Sequence, residues 1–304
     1  MTSIESPAGA RRRLRLALRA LRDERGLTQA QVAEALDWSL SKVIRIERGE
    51  VTISRTDLKA ALTLYRVEDP AVVRDLLDEA RASRQRGWWT EPPFGDHLTP
   101  AMAQVLQFEG EATAIRSFQP AVFPGYLQIE AYAVPIVNYF QDALPDETRA
   151  ARLRLRTRRY ENLFDRPNPP QYLLVIDESV LWRQIGGSQA LCEQLQRFLE
   201  EIDRGRVRCR VLPLADPTVA VLLGAFQLLD LGGEDDNDSN AVLYRESGTT
   251  DQVVQDADEV ARHRRIFEQL WDSALDDQQS ARLIHARLAA LITSLDLSAR
   301  VARR

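Results

Sequence analysis

Two short helical segments joined by a two-residue turn, between Thr28 and Gly49, constrain this chain more strongly than any other feature. Thr28 and Gln31 have the spacing of a capping box, in which each side chain accepts a hydrogen bond from the other residue's backbone. Ser39 is a favourable N-cap for the second helix, which is expected to end near Gly49. Helices joined this tightly cross at a steep angle, so the second one should project from the surface of its domain.

Helices on either side of this pair should complete a bundle. Between Arg11 and Arg25, apolar residues recur at the three- and four-residue spacing of a buried helical stripe. Ser54 and Asp69 are N-cap residues for two later helices, the second of which has proline at its first position. The pattern predicts an all-α domain of five helices over residues 1–82.

Positive charge is concentrated in this region, although the whole chain of 304 residues carries a net charge of −5. Residues 1–86 contain 17 Lys and Arg against 13 Asp and Glu, a net charge of +4, whereas the remainder has a net charge of −9. A local basic surface is what binding to DNA phosphates requires. Four arginines of the first helix share one face and are expected to be solvated or to contact phosphates: Arg11, Arg15, Arg19 and Arg22.

Residues 27–33 and 38–49 resemble the lambda-repressor-like, or XRE, helix-turn-helix family in spacing, glycine position and polarity. The resemblance implies that the second helix enters the major groove of DNA and that Gln29 clamps a phosphate. Arginine and lysine suit guanine, serine suits a base or a phosphate, and leucine suits the thymine methyl group. The residues expected to contact DNA are Thr28, Gln29, Ser39, Leu40, Ser41, Lys42, Arg45 and Arg48. A bundle of this kind that binds only protein is the alternative.

Residues 83–104 should form an ordered linker, because helical periodicity lapses there into a stretch that contains glycine, proline and tryptophan. Trp88 and Trp89 are expected to anchor this linker to one of the domains through apolar packing. The alternative is a paired-tryptophan cage that holds a ligand.

Beyond the linker, apolar runs with strand-like patterning alternate with helical patterns, which predicts an α+β (mixed α/β) domain over residues 105–304. The strand candidates are residues 112–118, 172–176, 207–214, 222–231 and 242–244. The helical patterns cover about 128–140, 146–164, 179–202 and 251–293. The chain is therefore expected to be multidomain, with a lambda-repressor-like five-helix domain followed by the mixed α/β domain.

A second resemblance covers nearly all of residues 105–290 and rests on several motifs in order: residues 108–115, 124–128, 176–181, 224–226 and 242–246. These resemble the DUF5753, or Scr1, family of regulators of actinobacterial type. The resemblance implies a sensory or partner-binding domain, with a small DUF397-type protein or an unidentified small-molecule effector as its partner. The chain departs from the family pattern at Tyr126, Ile129, Tyr160 and Asp216-Pro217, where the specificity of a ligand pocket would differ.

The chain is expected not to be an enzyme, with no catalytic residues, no metal and no cofactor. Its three histidines match no metal-binding or catalytic spacing, and no glycine-rich phosphate loop follows a predicted strand. Asp177 and Glu178 are the best-placed carboxylate pair, at the end of an apolar strand. Asp177 is nevertheless expected to serve as a helix N-cap, which leaves an active site at this pair as the less favoured interpretation.

Three further clusters have structural explanations. Residues 236–240 begin like a calcium loop, but Ala241 and Ser247 stand where the loop requires glycine and glutamate. Five arginines within residues 152–159 are spread around a helix, so most should be on the surface and one or two at an interface. The two cysteines have no second pair and no metal-binding spacing, so they are expected to be free thiols.

Together these patterns predict a sequence-specific transcriptional regulator that binds an inverted repeat of double-stranded DNA as a homodimer. Its second domain is expected to bind a ligand or a small partner protein. The residues show neither a signal peptide nor a membrane span, which favours a cytoplasmic, nucleoid-associated protein with no membrane partner. The alternative function is an antitoxin-like or anti-regulator interaction protein that acts mainly through the second domain.

Overall fold

The computed structural model describes residues 7–47, 51–85, 87–139, 144–216, 224–231, 240–246 and 250–301. The chain divides into two compact units, Met1–Glu91 and Pro92–Arg304. The division falls inside the segment predicted to be a linker. Over the described ranges, no helix is both long and apolar enough to cross a membrane.

The first unit is helical, as its sequence predicts. Its helices are α1 (Pro7–Glu24), α2 (Gln29–Ala35), α3 (Leu40–Glu47), α4 (Arg55–Leu64) and α5 (Pro70–Ala82). The predicted caps are present, since Ser54 accepts a hydrogen bond from the Asp57 N–H at 3.0 Å and Asp69 accepts one from the Ala71 N–H at 2.8 Å. The apolar faces meet in one core that includes Leu14, Leu18, Val32, Val43, Ile46, Leu58, Leu62 and Ala80.

The second unit combines helices with a mixed sheet, which confirms the predicted fold class. Its helices are α6 (Pro100–Glu109), α7 (Glu130–Tyr139), α8 (Asp146–Phe164), α9 (Ser188–Asp203), α10 (Ala257–Ser273) and α11 (Asp277–Val301). Its strands are β1 (Ala112–Gln119), β2 (Gln171–Asp177), β3 (Arg208–Leu212), β4 (Ala225–Leu231), β5 (Ala241–Glu246) and β6 (Asp251–Val254).

The described strands form one sheet in the order β3-β2-β1-β4-β5-β6. Strands β1, β2 and β3 pair in parallel, whereas β1 with β4, β4 with β5, and β5 with β6 pair antiparallel. Strand β5 therefore runs in the same direction as β1. As a consequence, the carboxyl ends of β1, β2, β3 and β5 lie along one edge of the sheet.

Three boundaries differ from the sequence prediction. Residues 251–254 form the edge strand β6 rather than the start of a helix, because they pair with β5, and the helix begins only after the N-cap Asp256. The helix predicted over 251–293 is divided between α10 and α11. The helix predicted from 179 begins at Ser188, after a short 3₁₀ turn at Glu178–Leu181. Residues 222–223 and the calcium-like residues 236–239 lie outside the described part of the chain.

The two tryptophans of the predicted linker contact each other. Trp88 and Trp89 meet edge to face, with ring centroids 5.9 Å apart. Trp89 is buried and Trp88 is half-buried. The edge of one ring packs against the face of the other, and each ring therefore occupies the space beside its neighbour. This geometry favours anchoring of the linker over a paired-tryptophan ligand cage.

Gly186 permits a close approach between α7 and the turn before α9. Its φ is +75°, and a Cβ atom there would lie 2.5 Å from the Ala131 carbonyl oxygen. We expect Gly186→Ala to lower the free energy of unfolding of this unit by about 3 kcal/mol, combining left-handed strain with the backbone clash. Urea unfolding followed by circular dichroism measures this loss.

Gly205→Ala is the matched control for that substitution. Gly205 has a similar φ of +71°, but nothing lies within 4 Å of an added Cβ. Backbone strain alone should cost about 1 kcal/mol there. If both variants lost the same free energy of unfolding, the close contact with α7 would not be what restricts the side chain at position 186.

Candidate nucleic-acid interface

The turn between α2 and α3 is built by short-range hydrogen bonds. The Thr28 N–H donates to Gln31 Oε1 at 2.8 Å, and the Gln31 N–H donates to Thr28 Oγ1 at 3.2 Å, so both bonds of the predicted capping box are present. At the other end of α2, Asp37 adopts a left-handed φ of +54°. The Trp38 N–H donates to the Ala33 carbonyl at 2.8 Å, which closes the turn.

Helix α3 has one buried face and one exposed face. Val43 and Ile46 are buried in the core. On the opposite side Leu40 is 46% exposed, and Ser41 and Arg45, one helical turn apart, are also exposed. The helix therefore presents a short row of unlike side chains, one apolar, one hydroxyl and one cationic, to its surroundings. This combination can contact both base edges and phosphates.

A buried polar hub holds α3 in place. The Arg22 guanidinium donates two hydrogen bonds to the Glu47 carboxylate, at 2.7 and 3.1 Å, and a third to the Leu27 carbonyl at 2.8 Å. Gln29 Nε2 donates to Glu47 Oε2 at 2.8 Å. The hub joins α1 and the start of α2 to the last residue of α3, so it sets the direction in which α3 projects.

The expectation that Arg22 lies on a solvated face is wrong, because Glu47 draws it into the bundle, where its hydrogen bonds to Glu47 raise its pKa. Arg19 is exposed, as expected. Arg11 and Arg15 are half-buried, and Arg11 donates to the Ser83 carbonyl at 3.1 Å. The arginines of α1 thus serve several roles and do not form a uniform surface.

Sequence reasoning missed the role of Glu47. A signal was present, since Glu47 follows Val43 and Ile46 at the spacing of the buried face of α3. A carboxylate on the buried face of a helix is expected to have a buried cationic partner.

Lys42 lies at the edge of the exposed row, and its ammonium group already has partners within the first unit. Its ammonium is 3.1 Å from the Asp57 carboxylate and 4.1 Å from the centroid of the Trp38 ring. Contact with DNA would require Lys42 to leave Asp57. Leu40, Ser41 and Arg45 are exposed.

The remaining predicted contact residues are placed as follows. Thr28 and Ser39 are exposed, and both hydroxyls accept backbone hydrogen bonds as helix caps. Gln29 is half-buried, with its amide nitrogen directed to Glu47. Arg48 lies outside the described residues.

In the second unit, the positions that depart from the family pattern have different environments. Tyr126 is buried, with its hydroxyl 2.5 Å from the Tyr172 hydroxyl, and burial raises the pKa of both phenols. The Tyr160 hydroxyl donates to Glu201 at 2.8 Å within an arginine-rich network. Ile129 lines an open cleft of about 720 Å³ beside α7. Asp216 is described and Pro217 is not.

The carboxylates of Asp177 and Glu178 make structural hydrogen bonds. Asp177 accepts from the Ser179 N–H at 2.9 Å, which confirms the predicted N-cap. Glu178 accepts from the Leu214 N–H at 3.0 Å and from Trp182 Nε1 at 3.2 Å. Among the residues that the structure describes, no group of three or more His, Cys, Asp and Glu side chains could hold a metal ion.

Comparison with known families agrees with both resemblances. The profile of DUF5753, a domain of unknown function, matches residues 102–286, and a helix-turn-helix domain profile matches residues 13–76. No curated protein and no solved structure matches the chain. The helix-turn-helix match spans α2, α3 and their turn, and it therefore includes the exposed row of α3.

Proposed function

This chain belongs to the DUF5753 family and carries a DNA-binding helix-turn-helix domain, and on that premise we propose how it acts as a transcriptional regulator. It binds an inverted-repeat operator as a homodimer, with α3 of each copy in the major groove. Its second unit responds to a small-molecule effector or to a small DUF397-type partner and changes the affinity for DNA. The family resemblance supports the responsive role of this unit.

The exposed row of α3 is the observation that carries the proposal. Leu40, Ser41 and Arg45 face outward, while the buried hub at Glu47 fixes the helix behind them. A helix held in place by its buried face suits the major groove, where its exposed side chains can reach base edges and phosphates.

The proposed dimer is supported by the small size of a single helix-turn-helix domain. A single small helical module buries less surface on DNA than a dimer does, and a second copy adds base and phosphate contacts that raise specific affinity. Two copies related by a two-fold axis would read half-sites about one helical turn of DNA apart. An operator of this kind is therefore an inverted repeat.

We do not propose a catalytic activity. The carboxylates of Asp177 and Glu178 hold backbone groups and a tryptophan, so the pair with the most favourable position for catalysis already has structural partners.

Arg45→Ala is the direct test of the proposed DNA contact. We expect it to weaken operator binding about 10-fold to 100-fold, because a bidentate arginine contact to guanine contributes about 1–3 kcal/mol. The operator is first isolated by retention of genomic fragments on the purified full-length protein at near-physiological salt. Fluorescence anisotropy with that operator then gives the dissociation constant of each variant.

Arg74→Ala is the matched control, since Arg74 is an exposed arginine of α5 outside α2 and α3. Its affinity should stay within about twofold of the wild type. Retention of unrelated fragments, or equal effects of the two substitutions, would contradict DNA reading by α3. Failure to retain an inverted repeat, together with tight binding of a protein partner, would favour the interaction-protein alternative.

A further inference from the structure

The open cleft of about 720 Å³ beside α7 has the size of a ligand site. One of its walls comes from the start of α7 and the residue before that helix. The other wall comes from the turn before α9 and from the second turn of α9. Sites for small molecules usually have volumes of about 300–1,000 Å³, so a small molecule would fit between these walls.

Direct contacts hold the two walls of the cleft together. Gln194 of α9 is buried, and its Oε1 accepts a hydrogen bond from the Ile129 N–H at 2.8 Å. Its Nε2 donates to the Leu127 carbonyl at 2.9 Å. Gly186 lies so close to α7 that an added Cβ would be 2.5 Å from the Ala131 carbonyl oxygen. Because these contacts fix the walls without a ligand, little of the binding free energy would be needed to order them.

Three apolar side chains line the cleft. Ile129, Val134 and Pro135 are each half-buried, so each keeps surface that is exposed to water and that a ligand could cover. Removal of apolar surface from water is favourable and requires an apolar surface on the ligand. The lining therefore favours a ligand with an apolar body.

Both charged side chains of the lining are carboxylates, one on each wall. Glu130 of α7 and Glu193 of α9 are exposed. Glu193 accepts a hydrogen bond from the neutral Gln189 Nε2 at 2.7 Å, and no cation among the described residues forms an ion pair with either carboxylate. Among the described residues that line the cleft there is no lysine, arginine or histidine. The cleft should therefore attract cations and repel anions.

The Ala131 carbonyl adds a hydrogen-bond acceptor to the wall formed by α7. Pro135 lies four residues later in the helix and has no N–H, so the ordinary helical hydrogen bond to this carbonyl cannot form. The carbonyl oxygen lies beside Gly186, which also lines the cleft. An acceptor that lacks its helical donor suits a ligand that brings N–H groups.

We propose that this cleft binds a small primary amine, whose ammonium group contacts Glu130 and Glu193 and whose apolar body covers the apolar lining. An ammonium group has three N–H donors and no acceptor, which matches two carboxylates and the Ala131 carbonyl. A neutral ligand of the same shape would make weaker hydrogen bonds, because those to a charged donor are the stronger ones. The role of the amine as the effector rests on the proposed regulatory function, but the binding itself does not.

Titration of the full-length protein without DNA, followed by the nuclear magnetic resonance signals of the ligand, tests this site. The cationic probe is phenethylamine. Phenylethanol and phenylpropionate keep its aromatic body but are neutral and anionic, whereas methylamine keeps the charge and lacks the body. Phenethylamine should bind about tenfold or more tightly than each of these three and should raise the midpoint of thermal unfolding.

Variants assign the binding to the cleft. The double variant Glu130→Gln/Glu193→Gln should weaken phenethylamine binding about tenfold or more, because it removes both charges and keeps the shapes of the side chains. Glu268→Gln/Asp272→Asn is the control, since it neutralises two exposed carboxylates of α10 that do not line the cleft. Both double variants change the net charge equally, but the control should bind within about twofold of the wild type.

The results separate this proposal from the DNA-binding one. It is overturned if phenethylamine does not bind, if phenylethanol or phenylpropionate binds as tightly, or if the two double variants have equal affinity. A peptide of alternating lysine and leucine that binds when phenethylamine does not would also overturn it and assign the cleft to a protein partner. None of these outcomes involves DNA, so an operator bound by α3 would remain. Conversely, an amine that binds to a protein with no operator would leave the cleft site standing and contradict the regulatory role.

Discussion

Replacing Glu109 by alanine is expected to lower the free energy of unfolding of the second unit by about 3–5 kcal/mol, because it leaves Arg159 buried without its counter-ion. The two side chains are almost inaccessible, at 7% and 4% exposure, and Arg159 contacts Glu109 through two guanidinium nitrogens. The Arg159 guanidinium also lies 4.7 Å from the centroid of the Tyr126 ring.

Arg159 cannot escape this cost by losing its proton. Desolvation lowers its pKa, but Glu109 raises it by more, and the net result is a pKa above the ordinary arginine value. Without Glu109 the group still remains protonated at neutral pH, since arginine deprotonates only far above that range. The substitution therefore buries an uncompensated charge.

Chemical unfolding followed by circular dichroism measures the loss, with Glu161→Ala as control. Glu161 pairs with Arg158 of the same helix at 3.1 Å, but both side chains are about half exposed. An exposed pair of this kind contributes about 0–1 kcal/mol. The double variant Glu109→Leu/Arg159→Met should recover much of the lost stability, because it removes both charges and keeps the volume apolar. Similar losses for Glu109→Ala and Glu161→Ala would contradict the buried-pair explanation.

Glu47→Ala is expected to have a comparable effect on the first unit and to abolish operator binding as well. The substitution leaves the buried Arg22 guanidinium with only the exposed Asp23 carboxylate, at 2.6 Å, as a counter-ion, and it removes the acceptor of Gln29 Nε2. Loss of one partner from a buried ion pair costs about 3–5 kcal/mol, a large fraction of the stability of a small domain. Glu47 itself is buried, so the loss of DNA binding would come from displacement of α3 and not from a missing contact.

Glu34→Ala provides the comparison, because Glu34 is an exposed carboxylate of the neighbouring helix α2. Its stability should remain within about 0.5 kcal/mol of the wild type. The double variant Arg22→Met/Glu47→Leu should restore folding and part of the DNA affinity. If Glu47→Ala were as stable as Glu34→Ala, the hub could not be what holds α3, and the orientation of the helix would need another cause.

The two ion pairs also show where sequence interpretation was insufficient. Arg22 and Arg159 each belong to a run of arginines that is expected to be mainly on a helix surface. Their spacing in the chain does not reveal a buried partner, because Glu47 and Glu109 come from other helices, 25 and 50 residues away. The same limit applies to β6, whose four residues become a strand only because β5 offers them an unpaired edge.

Sequence patterns that span only a few residues were sufficient to predict the starts of helices, the helix-turn-helix and the positions of most strands. Thr28, Ser54, Asp69 and Asp177 cap their helices through bonds to residues two or three positions ahead, so their chemistry can be read directly from the chain. Exposure along α3 likewise follows from helical periodicity.

The strand order, the hub at Glu47 and the buried pair of Arg159 with Glu109 depend on packing between distant segments. The state of a charged side chain depends on how much water its surroundings exclude and on which opposite charge they bring near. For Arg22 and Arg159 those surroundings come from segments far apart in the chain. Local sequence patterns do not predict such contacts, because any distant segment of suitable shape and charge could supply them.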